Sequence, residues 1–192
     1  ADGEGNLYKE VWPTSLDGLT KPATAERWKS GLQTNTESNP SIDKALEFGR
    51  AVMQEGGDAR AAATQSWLST PNILRLIAVD RTIRNDDGPF HFFCDESGCE
   101  NHNFYLYEEQ KADRMWLIPW DLDLAFVAAG NLETGRDRFL QVANEWDDHA
   151  AVCERRNGSE SWIQPQLPPS CDPLLNGLGC YFQDEYQRAL DE

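Results

Sequence analysis

The chain has 192 residues, 40% of them hydrophobic, enough for one sizeable domain with its own core. Thirty-three acidic residues against 17 basic ones give a net charge of −16, a field that repels nucleic acid and anionic lipid, so neither is an expected partner. No run approaches the roughly 18 apolar residues of a membrane span, and none is expected.

Leu7 to Val11 (LYKEV) alternates apolar and charged residues and reads as a short strand. Pro22 to Ser30 reads as a helix with Trp28 turned inward. Asn39-Pro40 opens a second helix, with the proline in its first turn. Its apolar face holds Ile42, Ala45, Leu46, Gly49 and Met53, and Gly56-Gly57 stops it. Asp58 to Leu68 is a third helix. Thr70-Pro71 starts the strongest, running to about Arg84 with a stripe of Ile73, Leu76, Ile77 and Ile83. Asp80 falls inside that stripe, where a carboxylate needs a partner.

Asn85-Asp86-Asp87-Gly88 ends this helix with turn chemistry. Phe104 to Tyr107 (FYLY) and Met115 to Ile118 (MWLI) read as two strands joined by a polar turn over Glu108 to Asp113. Pro119 closes the hairpin, and Trp120-Asp121-Leu122-Asp123 follows. Further on, Arg138 to Trp146 and Phe182 to Leu190 read as helices on either side of a Pro-rich, Cys-containing loop. The polar opening ADGEGN and the closing YQRALDE, a helix cut in mid-course, suggest a fragment of a longer precursor. No signal peptide is visible.

Five cysteines form no C-x-x-C pair. Cys94 and Cys99 flank the short polar loop DESG and suit a local disulfide. Cys153, Cys171 and Cys180 lie in a loop-rich tail. This distribution points to an oxidising compartment, hence a secreted or cell-surface protein. His91, Cys94, Cys99 and His102 together form H-x₂-C-x₄-C-x₂-H, ligand types that also suit zinc. The disulfide is preferred because the other cysteines follow no zinc pattern. Asn157-Gly158-Ser159 is a glycosylation sequon.

The order of these pieces is the informative feature. A helix delivers a carboxylate loop, a tight hairpin follows, and a second carboxylate cluster sits at the hairpin's exit. Protein kinases place their catalytic and metal-binding aspartates in that order. With Leu122 extended, Asp121 and Asp123 point to the same side, where two hard oxygen ligands suit Mg²⁺ or Mn²⁺. Trp120 and Phe126 would supply apolar walls. D-x-D also anchors metal in nucleotide-sugar transferases, but no βαβ rhythm precedes Asp121 here.

GNLYKEVWP, LQTN, NILRLIAVDRTIRNDDG, HNFYLY and IPWDLD, in that order, resemble the spore coat protein H (CotH) family. The resemblance runs from Gly5 to Phe126, with a fainter trace in PLLNGLGCYFQDEYQRAL. It implies an α+β, atypical protein-kinase-like fold, mostly helical, whose short β-hairpin carries the active-site loops. Residues 1–192 would be a single partial kinase domain, lacking the N-terminal lid and the C-terminal end. The cofactors implied are ATP and Mg²⁺ or Mn²⁺. By the same resemblance Asp87 matches the catalytic aspartate, Asp121 the metal-binding aspartate and Asn103 an asparagine that holds a second metal ion. Lys9, on the first strand, is the best candidate for the cation that pairs with the phosphates, and Asp123 belongs to the metal motif. Asp80 and Arg84 would brace the loop.

Two features depart from the family pattern. Asp87 and Asn103 are sixteen positions apart, a longer gap than the family's, the excess being PFHFFCDESGCEN. No Gly-rich lid precedes Lys9 beyond Gly3 and Gly5. The implied activity is an ATP-dependent transfer of phosphate to Ser or Thr hydroxyls of secreted or surface proteins. The alternative is a non-catalytic kinase-like protein that binds a surface or coat.

Overall fold

The computed structural model describes residues 4–15, 21–54, 57–83, 85, 88–90, 93–94, 99–123, 125 and 172–178. The helices expected over 138–146 and 182–190, and the cysteines at 153, 171 and 180, lie outside them. The architecture is α+β: several helices packed on a small antiparallel sheet.

Helix α1 (Ala25–Ser30) starts where Thr24 Oγ1 accepts the Arg27 N–H at 3.2 Å, the usual way to satisfy a first-turn donor. It buries Trp28 edge-on to Tyr8, with ring centroids 4.9 Å apart. Helix α2 (Asp43–Val52) begins three residues beyond Pro40, not at it. A 3-10 turn at Thr36–Ser38 and a left-handed Asn39 (φ 45°) use up the preceding residues, and Ser41 Oγ takes the Asp43 N–H at 3.2 Å. Its buried face is Ala45, Phe48, Gly49 and Val52. That stripe is rotated from the expected one: Phe48 and Val52 replace Leu46 and Met53 at its centre. Helix α3 (Gly57–Trp67) and helix α4 (Thr70–Thr82) follow. Ile73, Ile77 and Asp80 of α4 are buried, as their spacing predicts. Among the described residues, no helix is long and apolar enough to cross a membrane.

Strands β1 (Asn6–Lys9), β4 (Phe104–Glu109) and β5 (Arg114–Pro119) form one sheet in the order β1-β4-β5, both pairings antiparallel. The expected hairpin therefore gains a third strand. β1 stops at Lys9, short of the expected Val11, because Glu10 adopts φ 52°. Residues 31–33 cover its outer edge: the Lys9 N–H donates to Gly31 O and the Gln33 N–H to Leu7 O, each at 2.8 Å. Between β1 and β4 in sequence, β2 (Phe93–Cys94) and β3 (Cys99–Glu100) pair as a separate two-stranded ladder.

Glu108 belongs to β4 rather than to the polar turn expected from its charge. It is 2% exposed. It accepts hydrogen bonds from Tyr8 OH (2.7 Å), Gln110 Nε2 (3.0 Å) and Asn6 Nδ2 (3.4 Å). Burial pushes its carboxyl above the ordinary range despite these bonds, and burial likewise raises the Tyr8 phenol. Lys44 of α2 clamps the turn itself. Its ammonium donates to the carbonyls of Glu109, Gln110 and Ala112 at 2.8–3.2 Å and sits 3.5 Å from Asp113.

The core runs from Tyr8, Trp12 and Trp28 through Phe48, Ile73, Ile77, Phe104, Leu106 and Met115 to Leu174, Leu175 and Leu178. A short helix over 173–178 enters this core behind Asp172, whose Oδ1 accepts the Leu175 N–H at 2.9 Å. Asp172 Oδ2 accepts from Trp12 Nε1 (2.9 Å) and Thr14 Oγ1 (3.1 Å), tying the distal segment to the stretch after β1.

Full burial raises the Asp172 carboxyl to about 6 against the lowering effect of these donors. Its unfolded value is about 3.8, so its contribution to stability is greatest below about pH 4 and is lost as pH rises through about 6. Asp172→Asn turns an NH₂ group toward buried donors and should cost about 1–3 kcal/mol in denaturant unfolding. The wild type's advantage over this variant should shrink between pH 4 and 7. An advantage that grows with pH would mean that the hydrogen bonds to the carboxylate outweigh its burial.

Candidate active site

All three strands of the sheet meet at one end in a set of hydrogen bonds. Past Lys9, the Glu10 N–H donates to Phe104 O at 3.1 Å. Glu10 Oε1 accepts the Asn103 N–H at 3.2 Å. Asn103 O accepts the Trp120 N–H at 2.9 Å. The register continues this pattern, with Lys9 opposite Tyr105 and Phe104 opposite Pro119. Lys9, Asn103 and the start of Trp120-Asp121 thus stand at the same edge, although some 110 residues separate the first from the last.

Glu10, Asn103 and Asp121 at this edge have φ of 52°, 59° and 51°. Asn and Asp tolerate the left-handed region, whereas Glu there costs on the order of 1 kcal/mol. The Arg27 guanidinium donates to Glu10 O at 2.7 Å and holds that turn in place. The Lys9 ammonium lies 4.5 Å from the centroid of the Trp120 ring, and the Tyr105 ring is 5.9 Å from the same indole.

Asp121-Leu122-Asp123 is a turn, not the extended segment expected. The Asp123 N–H approaches Asp121 Oδ1 at 3.4 Å and the Ala125 N–H donates to Leu122 O at 3.0 Å. The left-handed Asp121 ends the strand at Pro119, so period-2 alternation no longer governs the two carboxylates. Both are exposed, while Asn103 beside them is buried. Among the described residues, no three His, Cys, Asp or Glu side chains gather into a metal cluster. The oxygen donors at this edge are Asp121, Asp123 and the Asn103 amide, a set chemically suited to a hard divalent cation.

Asp86, Asp87, Arg84 and His91 lie outside the described residues, but the two ends of their loop are fixed. Asp80 Oδ1 accepts from Asn85 Nδ2 at 3.1 Å, and Asp80 O accepts the Asn85 N–H at 3.0 Å. Gly88 lies on this pair: a Cβ there would stand 2.5 Å from Asn85 Nδ2 and 2.6 Å from Asp80 Oδ1. Pro89 O accepts from Asn101 Nδ2 at 2.6 Å, and Phe90 is buried. The excess residues between Asp87 and Asn103 therefore double back. The β2–β3 ladder sets Cys94 opposite Cys99 and returns the chain beside Pro89, so the long gap leaves Asn103 at the sheet edge.

A sequence model of the family described as CotH kinase protein matches residues 4–162. The chain belongs to the CotH kinase family. No curated protein and no solved structure matches it. The matched span of this CotH chain contains Lys9, Asp87, Asn103, Asp121 and Asp123, whereas the 172–178 segment lies beyond it. The family is one of kinase-type proteins, which as a class use ATP and a divalent metal ion.

Sequence reasoning missed Glu10 and Arg27 as parts of this edge, and gave Trp120 only the role of a wall. For Glu10 a signal existed: the alternation expected over LYKEV fails at the adjacent charges Lys9 and Glu10, as it does at a strand end.

The Asp80–Asn85–Gly88 contact generates a direct expectation. Gly88→Ala forces a methyl group into the buried pair and should cost about 1–3 kcal/mol in denaturant unfolding, the usual range for overpacking. An unchanged unfolding midpoint would show that Gly88 does not rest on Asp80 and Asn85.

Proposed function

We propose that this CotH chain carries the active site of an ATP-dependent phosphotransferase, an atypical protein kinase acting on Ser or Thr hydroxyls of secreted or surface proteins. The observation that carries the reading is the convergence of Lys9, Asn103 and Asp121 at one edge of the sheet, with the loop flanking Asp87 anchored to Asn101 nearby.

Transfer of the γ-phosphoryl group forms a bond from the acceptor oxygen to phosphorus. It breaks the bond to the β–γ bridging oxygen, and ADP leaves. Asp87 accepts or orients the acceptor's hydroxyl proton. Lys9 faces the phosphates and offsets their charge. Asp121 and Asp123, with Asn103, would hold Mg²⁺ or Mn²⁺. When bound, such an ion neutralises phosphate charge and fixes the orientation of the nucleotide. A disulfide between Cys94 and Cys99, which flank the DESG loop, belongs to the same reading. Such a bridge would lock the hairpin beside the catalytic loop and agrees with a secreted or surface location.

Three substitutions in the full-length protein should fail differently. Asp87→Asn should leave ATP binding nearly intact and cut turnover about 10²–10⁴-fold. Lys9→Ala should weaken both. Asp121→Asn should weaken nucleotide binding in metal-containing buffer and change little in chelator. If Asp87→Asn keeps full turnover, Asp86 becomes the candidate for that role. If wild-type protein transfers no phosphate from labelled ATP in Mg²⁺ or Mn²⁺, the fold serves binding alone.

A further inference from the structure

The seat of the Lys9 ammonium distinguishes this site. The chain has 33 Asp and Glu residues, and yet among the described residues no carboxylate pairs with Lys9. The ammonium rests 4.5 Å from the centroid of the Trp120 indole. That indole is itself held. The Trp120 backbone N–H is bonded to Asn103 O at 2.9 Å, Pro119 before it pairs with Phe104, and the Tyr105 ring lies 5.9 Å from the indole. Lys9 and Tyr105 are register partners on neighbouring strands, so the lysine stem and both rings occupy one face of the sheet.

We propose that Trp120 is the positioning residue for Lys9: its ring holds the ammonium where nucleotide phosphates arrive, and keeps holding it once they are bound. This rests on reading Lys9 as the phosphate-facing cation. The chemistry favours a ring over a carboxylate in this role. A carboxylate would neutralise the charge and accept the N–H donors. An indole face attracts the cation through its quadrupole and accepts no conventional hydrogen bond, so the three ammonium N–H groups stay available for phosphate oxygens. Immobilising a flexible four-carbon side chain before binding removes part of the ordering cost that binding would otherwise carry. Trp120 also directly precedes Asp121, so the residue that seats the cation fixes the start of the metal-holding turn.

The test uses the full-length protein and a non-hydrolysable ATP analogue with Mg²⁺. In NMR spectra the Lys9 ε-methylene protons, assigned with Lys9→Arg, should be shifted upfield by the indole ring current. The shift should persist when the analogue saturates the protein and vanish in Trp120→Leu. By calorimetry, Trp120→Leu should weaken analogue binding about two- to thirty-fold, the range expected for a cation–ring contact. Trp120→Phe, which keeps an aromatic face, should restore most of it. On a Lys9→Ala background Trp120→Leu should add little further loss. Absence of the upfield shift in the free protein, or its disappearance on binding, overturns the proposal. So does an equal loss from Trp120→Leu on both backgrounds, even where Lys9→Ala itself weakens binding. If Lys9→Ala binds the analogue as tightly as wild type, the reading of Lys9 fails first, and the purpose of the seat fails with it.

Discussion

The backbone of Asn103 ties the other two strands to the central one at the edge where the candidate groups gather. Its N–H meets Glu10 Oε1 and its carbonyl meets the Trp120 N–H, so the ends of β1 and β5 are both fastened to the start of β4. A left-handed asparagine makes this arrangement possible, because at φ 59° the chain turns sharply into the strand at modest cost. Sliding β4 by one residue would put Lys9 opposite the wrong face and move Trp120 away from it. Register, more than any single side chain, therefore decides whether Lys9, Asn103 and Asp121 belong to one site.

The opposite end of the sheet shows what keeps that register. Glu108 has almost no exposure and would be a liability if left unpaired, since a buried carboxylate costs far more than its hydrogen bonds return. Tyr8, Asn6 and Gln110 satisfy it, and two of these lie on β1. Displacing β1 would strand the carboxylate in the core, so the penalty for slippage is large even though the net stabilisation is small. Lys44 adds a second lock by holding three turn carbonyls from α2. Both locks act at the other end of the sheet, which leaves the candidate edge free to carry exposed carboxylates and left-handed residues.

Much of this was legible in the sequence. The FYLY and MWLI strands announce themselves through aromatic and β-branched residues around a polar turn, and α4 through its 3-4 spacing and Thr70-Pro71 start. Asp80 was legible as a carboxylate inside an apolar stripe. Other features obey rules that one segment cannot display. Glu108 looked like turn material because its partners, Tyr8 and Asn6, are about 100 residues away. The same separation hid the β1–β4 pairing. The bend at Asp121 was unreadable because D-x-D alone fits a strand or a turn equally well. The stretch between Asp87 and Asn103 read only as an excess over the family's spacing, because the antiparallel pairing of residues 93–94 with 99–100 has no signature in so short a segment.

Binding Mn²⁺ with a non-hydrolysable ATP analogue to the full-length protein, and following paramagnetic line broadening residue by residue, tests the shared edge most directly. A strand of six residues spans roughly 17 Å, so the two ends of the β4–β5 hairpin should respond very differently. Resonances of Lys9, Gly88, Asn103 and Asp121 should broaden strongly, while those of Gln110 to Asp113 at the clamped turn should stay sharp. Broadening centred on the turn, or spread evenly over the acidic surface, would contradict a nucleotide–metal site built at that edge.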